Sequence, residues 1–130
     1  MAFLLDTNVV IALFAVEHSV LEEVRKAEER SRLRVPAIVL GELYYGARKS
    51  AKPADNVRRV DSLETRASVM SCDAGTARVY GSIKDMLRIK GKPIPDNDIW
   101  IAALALQHNL CLVTRDSHFQ EVDGLQITAW

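Results

Sequence analysis

Four acidic residues occupy positions where carboxylates can do chemistry. Asp6 ends the apolar run Phe3-Leu4-Leu5 and is followed by the small polar residues Thr7 and Asn8. Asp116 lies just past a second apolar run, Leu-Cys-Leu-Val-Thr, which stops at Thr114. Glu42 sits inside VPAIVLGELYYGARKS, where helical spacing puts it on one stripe with Ile38, Tyr45 and Gly46. An acid on an apolar face loses hydration unless a cation meets it, so an inward Glu42 points to function. Gly41 and Gly46, each costing roughly 1 kcal/mol against alanine in a helix, suggest close packing on that element. Asp98 stands in PIPDNDIWIAALALQHN, with Ile101, Ala102 and Ala105 at i+3, i+4 and i+7, and so continues the buried stripe of its helix. Asp96 falls on the opposite side and reads as the N-cap after Pro95; it joins a site only if the helix starts later.

Carboxylates brought together repel one another and need a counter-charge. The set is read as hard oxygen ligands alone, with no histidine or cysteine among them, which selects Mg²⁺ or Mn²⁺. Thr7, Asn8 and Thr114 would complete the pocket by hydrogen bonding. Each residue also has a plainer reading: Asp116 can cap a helix before Ser117–Gln120, and Glu42 can sit in an ion pair. His18, His108 and His118 read as surface histidines without a ligand role. Trp100, Tyr44 and Tyr45 read as packing or dimer surface rather than base-stacking platforms. No Ser-His-Asp or Cys-His arrangement is suggested.

The elements that must position these acids alternate. Short strands are expected over residues 2–6, 33–37, 68–71, 110–114 and, more weakly, 125–130. Helices are expected from the 6–8 cap to about Phe14, over 17–31, 38–49, 53–66, 74–90 behind an Asp73 cap, and 98–109. Such alternation builds a mainly parallel sheet covered on both faces, and polar residues gather beyond the carboxyl ends of its strands. The 130 residues suit one domain over 1–130. Seventeen basic and seventeen acidic side chains cancel, which excludes a binder that relies on a global basic field. Cys72 and Cys111 read as reduced thiols of a cytoplasmic protein. The N-terminus lacks the basic region of a signal peptide, and Val9–Val16 is too short to span a membrane.

FLLDTNVVIAL, VPAIVLGELYYGARKS, GKPIPDNDIWIAALAL and LVTRDSHF, in that order, resemble the PIN-domain ribonucleases, most closely the VapC-like toxins of bacterial toxin–antitoxin pairs. The likeness covers essentially the whole chain. It implies an α/β/α sandwich, Mg²⁺-dependent hydrolysis of RNA (often tRNA or rRNA) leaving 5′-phosphate and 3′-hydroxyl ends, a small VapB-like antitoxin, and a homodimer. Carried over by motif, the acids are Asp6, Glu42, Asp98 and Asp116. Asp6 and Asp98 would hold the metal, with Asp116 and Glu42 direct or through water. Flanking Arg48, Lys49, Lys52 and Arg115 would hold the RNA backbone, or else form a solvated face. An antitoxin cation inserted among the acids would block them.

Two other readings compete. A phosphatase of the haloacid-dehalogenase type also begins with a strand-terminal aspartate, but needs a second acid where this chain has Asn8. A non-catalytic module could use the acidic pocket to bind a basic partner peptide.

Overall fold

The first strand, β1 (Phe3–Leu5), has Leu4 and Leu5 fully buried, as an unalternating apolar run should when both sheet faces are covered. The computed structural model describes residues 2–130, and Met1 lies outside them. After β1 come α1 (Thr7–Phe14) and α2 (His18–Glu28), then β2 (Arg34–Pro36), α3 (Ala37–Arg48) and α4 (Pro53–Arg66). β3 (Ser68–Met70), α5 (Ala74–Lys90) and α6 (Asp96–Gln107) follow. β4 (Cys111–Val113), a 3-10 turn (Ser117–Glu121) and β5 (Ile127–Thr128) complete the order. The strands form one sheet in the order β3-β2-β1-β4-β5, and every neighbouring pair is parallel. The α/β architecture with a parallel sheet is therefore as expected.

Strand order decides where a site can form. From central β1 the chain continues outward through β2 to β3 on one side, while β4 and β5 close the other. Connections leave β1 and β4 in opposite directions, and a crevice opens beyond their carboxyl ends. The register places Leu5 opposite Val113, so Asp6 and Thr114 emerge side by side. Beneath them Val9 and Val10 of α1, Val39 of α3, Ile101–Ala105 of α6 and Phe119 build one apolar core. α6 is buried almost all round because it lies between the sheet and α5. Its Ala102, Ala103 and Ala105 allow that close approach.

The structure differs from expectation at several boundaries. α6 begins at Asp96, and Pro95 is its N-cap: the Pro95 carbonyl accepts from the backbone N–H groups of Asp98 and Ile99 at 3.1 and 3.2 Å. Asp96 is thus a first-turn residue and not the cap. Gly41 and Gly46 are not sites of close approach, since a Cβ at either would meet nothing within 4 Å. β5 is only two residues long, Ile127–Thr128, and Gly124, at φ +80°, turns the chain ahead of it. Trp130 then packs edge-on against Phe3, with ring centroids 5.2 Å apart.

Candidate metal centre

Asp6 is built into the crevice by its neighbours. Its backbone N–H donates to the Val113 carbonyl at 3.0 Å, extending the β1–β4 ladder by one bond. Its side chain caps α1, one oxygen accepting from the Thr7 N–H at 2.8 Å. The other oxygen accepts from the Thr114 hydroxyl at 2.7 Å and from Asn8 Nδ2 at 3.3 Å. Asn8 Oδ1 in turn accepts from the Arg115 N–H at 3.1 Å, and Thr114 Oγ1 from the Asp116 N–H at 3.0 Å. Only 5% of Asp6 is exposed. Burial pushes its carboxyl above the ordinary 3.8; the Thr114 and Thr7 hydrogen bonds pull it down, and the charges of Glu42 and Asp116 push it up again.

Three other elements bring the remaining acids. Glu42, midway along α3, accepts from the Thr7 hydroxyl at 2.9 Å and from Asn97 Nδ2 of α6 at 3.4 Å. Its stripe is not the core face expected: Val39, Leu40, Leu43 and Ala47 are the buried residues of α3, while Tyr45 is 68% exposed. Glu42 therefore lies on the helix flank that borders the crevice, half-buried. Asp98, in the first turn of α6, is also half-buried. Its carboxyl is raised by burial, lowered by its bond to His118, and raised by the charges of Asp6 and Asp116. Asp116 serves both readings. It caps the 3-10 turn, accepting from the His118 N–H at 2.9 Å, and it also faces Asp98 and Asp6.

The structure thus brings Asp6, Glu42, Asp98 and Asp116 to one crevice with Thr7, Asn8 and Thr114. Asp96 is excluded: its carboxylate turns outward to Lys84 Nζ at 3.0 Å and Tyr80 Oη at 3.1 Å. His118 is not the bystander expected, because its Nδ1 lies 3.2 Å from both Asp98 Oδ2 and Asp116 Oδ1. Its place two residues after Asp116, just beyond a strand end, was the available signal. Asn97 gave none, since only the helical phase of α6 reveals it. Of the four cations, Arg115 is held by Glu17 at 3.2 Å and by the Trp130 carbonyl at 3.0 Å. Arg48, Lys49 and Lys52 are exposed at the junction of α3 and α4. His18 and His108 are exposed on the surface, and Trp100 stacks on Tyr80 with centroids 4.0 Å apart.

The donor set fits a divalent cation. Among the described residues no lysine or arginine ion-pairs with any of the four acids, although Asp6 and Asp98 are raised by burial and, to a lesser extent, by the charges of neighbouring acids. A cluster of acids with no lysine or arginine among them gains from a divalent cation, and Asp98, Asp116 and His118 each offer an atom close enough to share one. Beside Glu42 a groove of about 250 Å³ runs between α1, α3 and α4, lined by Thr7, Ile11, Phe14, Leu43 and Arg59. No helix among the described residues is long and apolar enough to cross a membrane.

The family model described as PIN domain matches residues 3–125. Ribonuclease VapC2 of Haemophilus influenzae is 33% identical over 130 residues, covering 98% of this chain and 97% of that protein. The tRNA(fMet)-specific endonuclease VapC of Shigella flexneri is 31% identical over 129 residues, with the same shares covered. Among solved structures, VapBC2 of Rickettsia felis, bound to a DNA fragment from its promoter, superposes with a TM-score of 0.93 at 29% identity. That match covers 100% of this chain and 99% of its counterpart.

Proposed function

The chain belongs to the PIN-domain family, and from that premise we propose that it is a divalent-metal-dependent endoribonuclease, the toxin of a VapBC-type toxin–antitoxin pair. One observation carries the reading: four acids from four separate segments meet in one crevice that contains no lysine or arginine partner among the described residues. Its whole-length relatives are named as ribonucleases, and its structural neighbours include VapBC complexes. The two competing readings gain no such support, and the phosphatase lacks its second acid at Asn8.

We assign Asp6, Asp98 and Asp116 to hold the ion, Mg²⁺ or Mn²⁺, with Glu42 ligating directly or through water. Bound there, a divalent cation lowers the pKa of a coordinated water and offsets charge developing on the scissile phosphate. The protein's contribution is preorganisation. Thr7, Asn8 and Thr114 lock both oxygens of Asp6, so its direction is set before substrate arrives. Thr7 and Asn97 hold one oxygen each of Glu42, tying α1, α3 and α6 around the same space. Water is the nucleophile this arrangement serves, because the crevice gathers carboxylates and hydroxyls, while Cys111 is buried within β4.

The substrate is RNA, with tRNA or rRNA as the class; Arg48, Lys49 and Lys52 are placed to meet its backbone, and Arg115 would do so only by leaving Glu17. A VapB-like antitoxin is the partner. An apolar segment seated in the groove beside Glu42 would deliver a cationic side chain to the acids. The reading includes one domain over 1–130, a homodimer, and a cytoplasmic location. Incubation with a tRNA and rRNA panel tests it. Discrete fragments with 5′-phosphate ends should form with Mg²⁺ or Mn²⁺, and vanish with EDTA. Intact RNA under every metal condition rejects it.

A further inference from the structure

The histidine beside the acids has an unusual setting. His118 follows Asp116 by two residues in the 3-10 turn, and its direction is fixed from both sides. Asp116 accepts from its backbone N–H at 2.9 Å, and the next residue, Phe119, is fully buried in the core. Its Nδ1 stands 3.2 Å from Asp98 Oδ2 and 3.2 Å from Asp116 Oδ1. A ring nitrogen carries at most one proton and can satisfy only one of these oxygens well. Yet the two are equally near, and among the described residues Asp98 Oδ1 and Asp116 Oδ2 have no hydrogen-bond partner. Adjacent ligands at about 2.1 Å from an octahedral ion sit about 3 Å apart, which is the spacing of this nitrogen from each oxygen.

We propose that His118 is a ligand of the metal through Nδ1, making the centre a mixed imidazole–carboxylate site that favours Mn²⁺ and the later divalent transition ions over Mg²⁺. This rests on the metal-dependent reading above. Imidazole is a poor partner for Mg²⁺ and an increasingly good one along the series from Mn²⁺ upward, whereas carboxylates alone discriminate little. The ring is 49% exposed at its side chain, so it approaches the crevice from the solvent side and replacing it removes little packing.

Mn²⁺ binding to the full chain, followed by electron paramagnetic resonance, tests the assignment without relying on catalysis. Pulsed measurements on the Mn²⁺-loaded wild type should show coupling to a directly bound imidazole nitrogen, absent in His118→Ala. The same substitution should weaken Mn²⁺ at least about 10-fold and Mg²⁺, measured by competition, far less. Mn²⁺ binding that shows no nitrogen coupling and survives His118→Ala unchanged overturns the ligand role while leaving the metal site intact. Tighter Mn²⁺ binding by His118→Ala also overturns it, making the ring only a counter-ion for the acids. A wild type that binds no Mn²⁺ or Mg²⁺ at all rejects the metal-dependent reading itself.

Discussion

Two aspartates in this chain obey the same local grammar and have opposite fates. Asp6 follows β1 and caps α1; Asp73 lies just past β3 and caps α5. Asp73 accepts from the Thr76 N–H at 3.0 Å and from Gln107 Nε2 at 2.8 Å, with a reciprocal bond from its own N–H to Thr76 Oγ1 completing a capping box. Exposed and surrounded by donors, its carboxyl is held below the ordinary 3.8, chiefly by the Thr76 N–H and Gln107. Asp6 has donors too, but it is buried among other acids and its carboxyl is raised. The difference is topological. β3 is an edge strand, and Asp73 beyond it lies exposed beside Gln107 at the last residue of α6, whereas β1 is central and Asp6 beyond it enters the crevice beside β4. Both aspartates cap a helix, and only the one that follows the central strand also joins the acidic crevice.

The sharpest break in this comparison is catalytic. Asp6→Asn should reduce metal-dependent RNA cleavage by at least about 100-fold, and Asp98→Asn likewise, with Asp73→Asn within about 2-fold of wild type. Gel-resolved cleavage rates at saturating Mn²⁺ would show it; an active Asp6→Asn removes the distinction. Next in size is the response to ligand. Mn²⁺ at 100 times its dissociation constant should stabilise wild type and Asp73→Ala equally, by about 2.7 kcal/mol, and leave Asp6→Asn nearly unmoved. Thermal melts with and without the ion decide this.

Without metal the ranking should invert. Asp6→Asn keeps an oxygen for the Thr7 N–H yet removes a buried charge among acids, so it should melt at or above wild type. Asp73→Ala loses its capping box and should melt a few degrees lower. The smallest effect is the pH dependence of those two differences. A raised carboxyl makes the folded state bind more protons than the unfolded one between 3.8 and the raised value. Metal-free wild type therefore gains stability as pH falls through that window, and the Asp6→Asn advantage shrinks. A depressed carboxyl stabilises above 3.8, and that benefit is lost only as pH falls through the lower value. The Asp73→Ala deficit should persist through mild acid and close below it. Melting series from neutral to acid pH measure both.

Much of this was legible in the sequence, for physical reasons. Apolar runs without alternation located β1 and β4, and the stops at Asp6 and Thr114 marked their carboxyl ends, because buried strands cannot carry polar residues in mid-run. The phase of α6 set Asp98 apart from Asp96, although Pro95 and not Asp96 caps that helix, which begins two residues before the expected 98. Glu42 was found through a flawed premise: it and Gly46 line a groove while Tyr45 is exposed, and spacing alone cannot tell a groove wall from a core face. His118 and Asn97 escaped because their roles depend on which strands and helices become neighbours. Strand order is a long-range property that periodicity does not encode.

That order also governs when activity can arise during synthesis. The bond from Thr114 to Asp6 spans 108 positions, and β4 is the last strand to dock against β1. A ribosome that has translated the first hundred residues has made Asp6, Glu42 and Asp98, but has not yet supplied the wall that aims them. Until the segment carrying Thr114 and Asp116 has been made, Asp6 lacks its hydroxyl partner and the crevice its far side, so the acidic cluster is completed only by the last of its four segments.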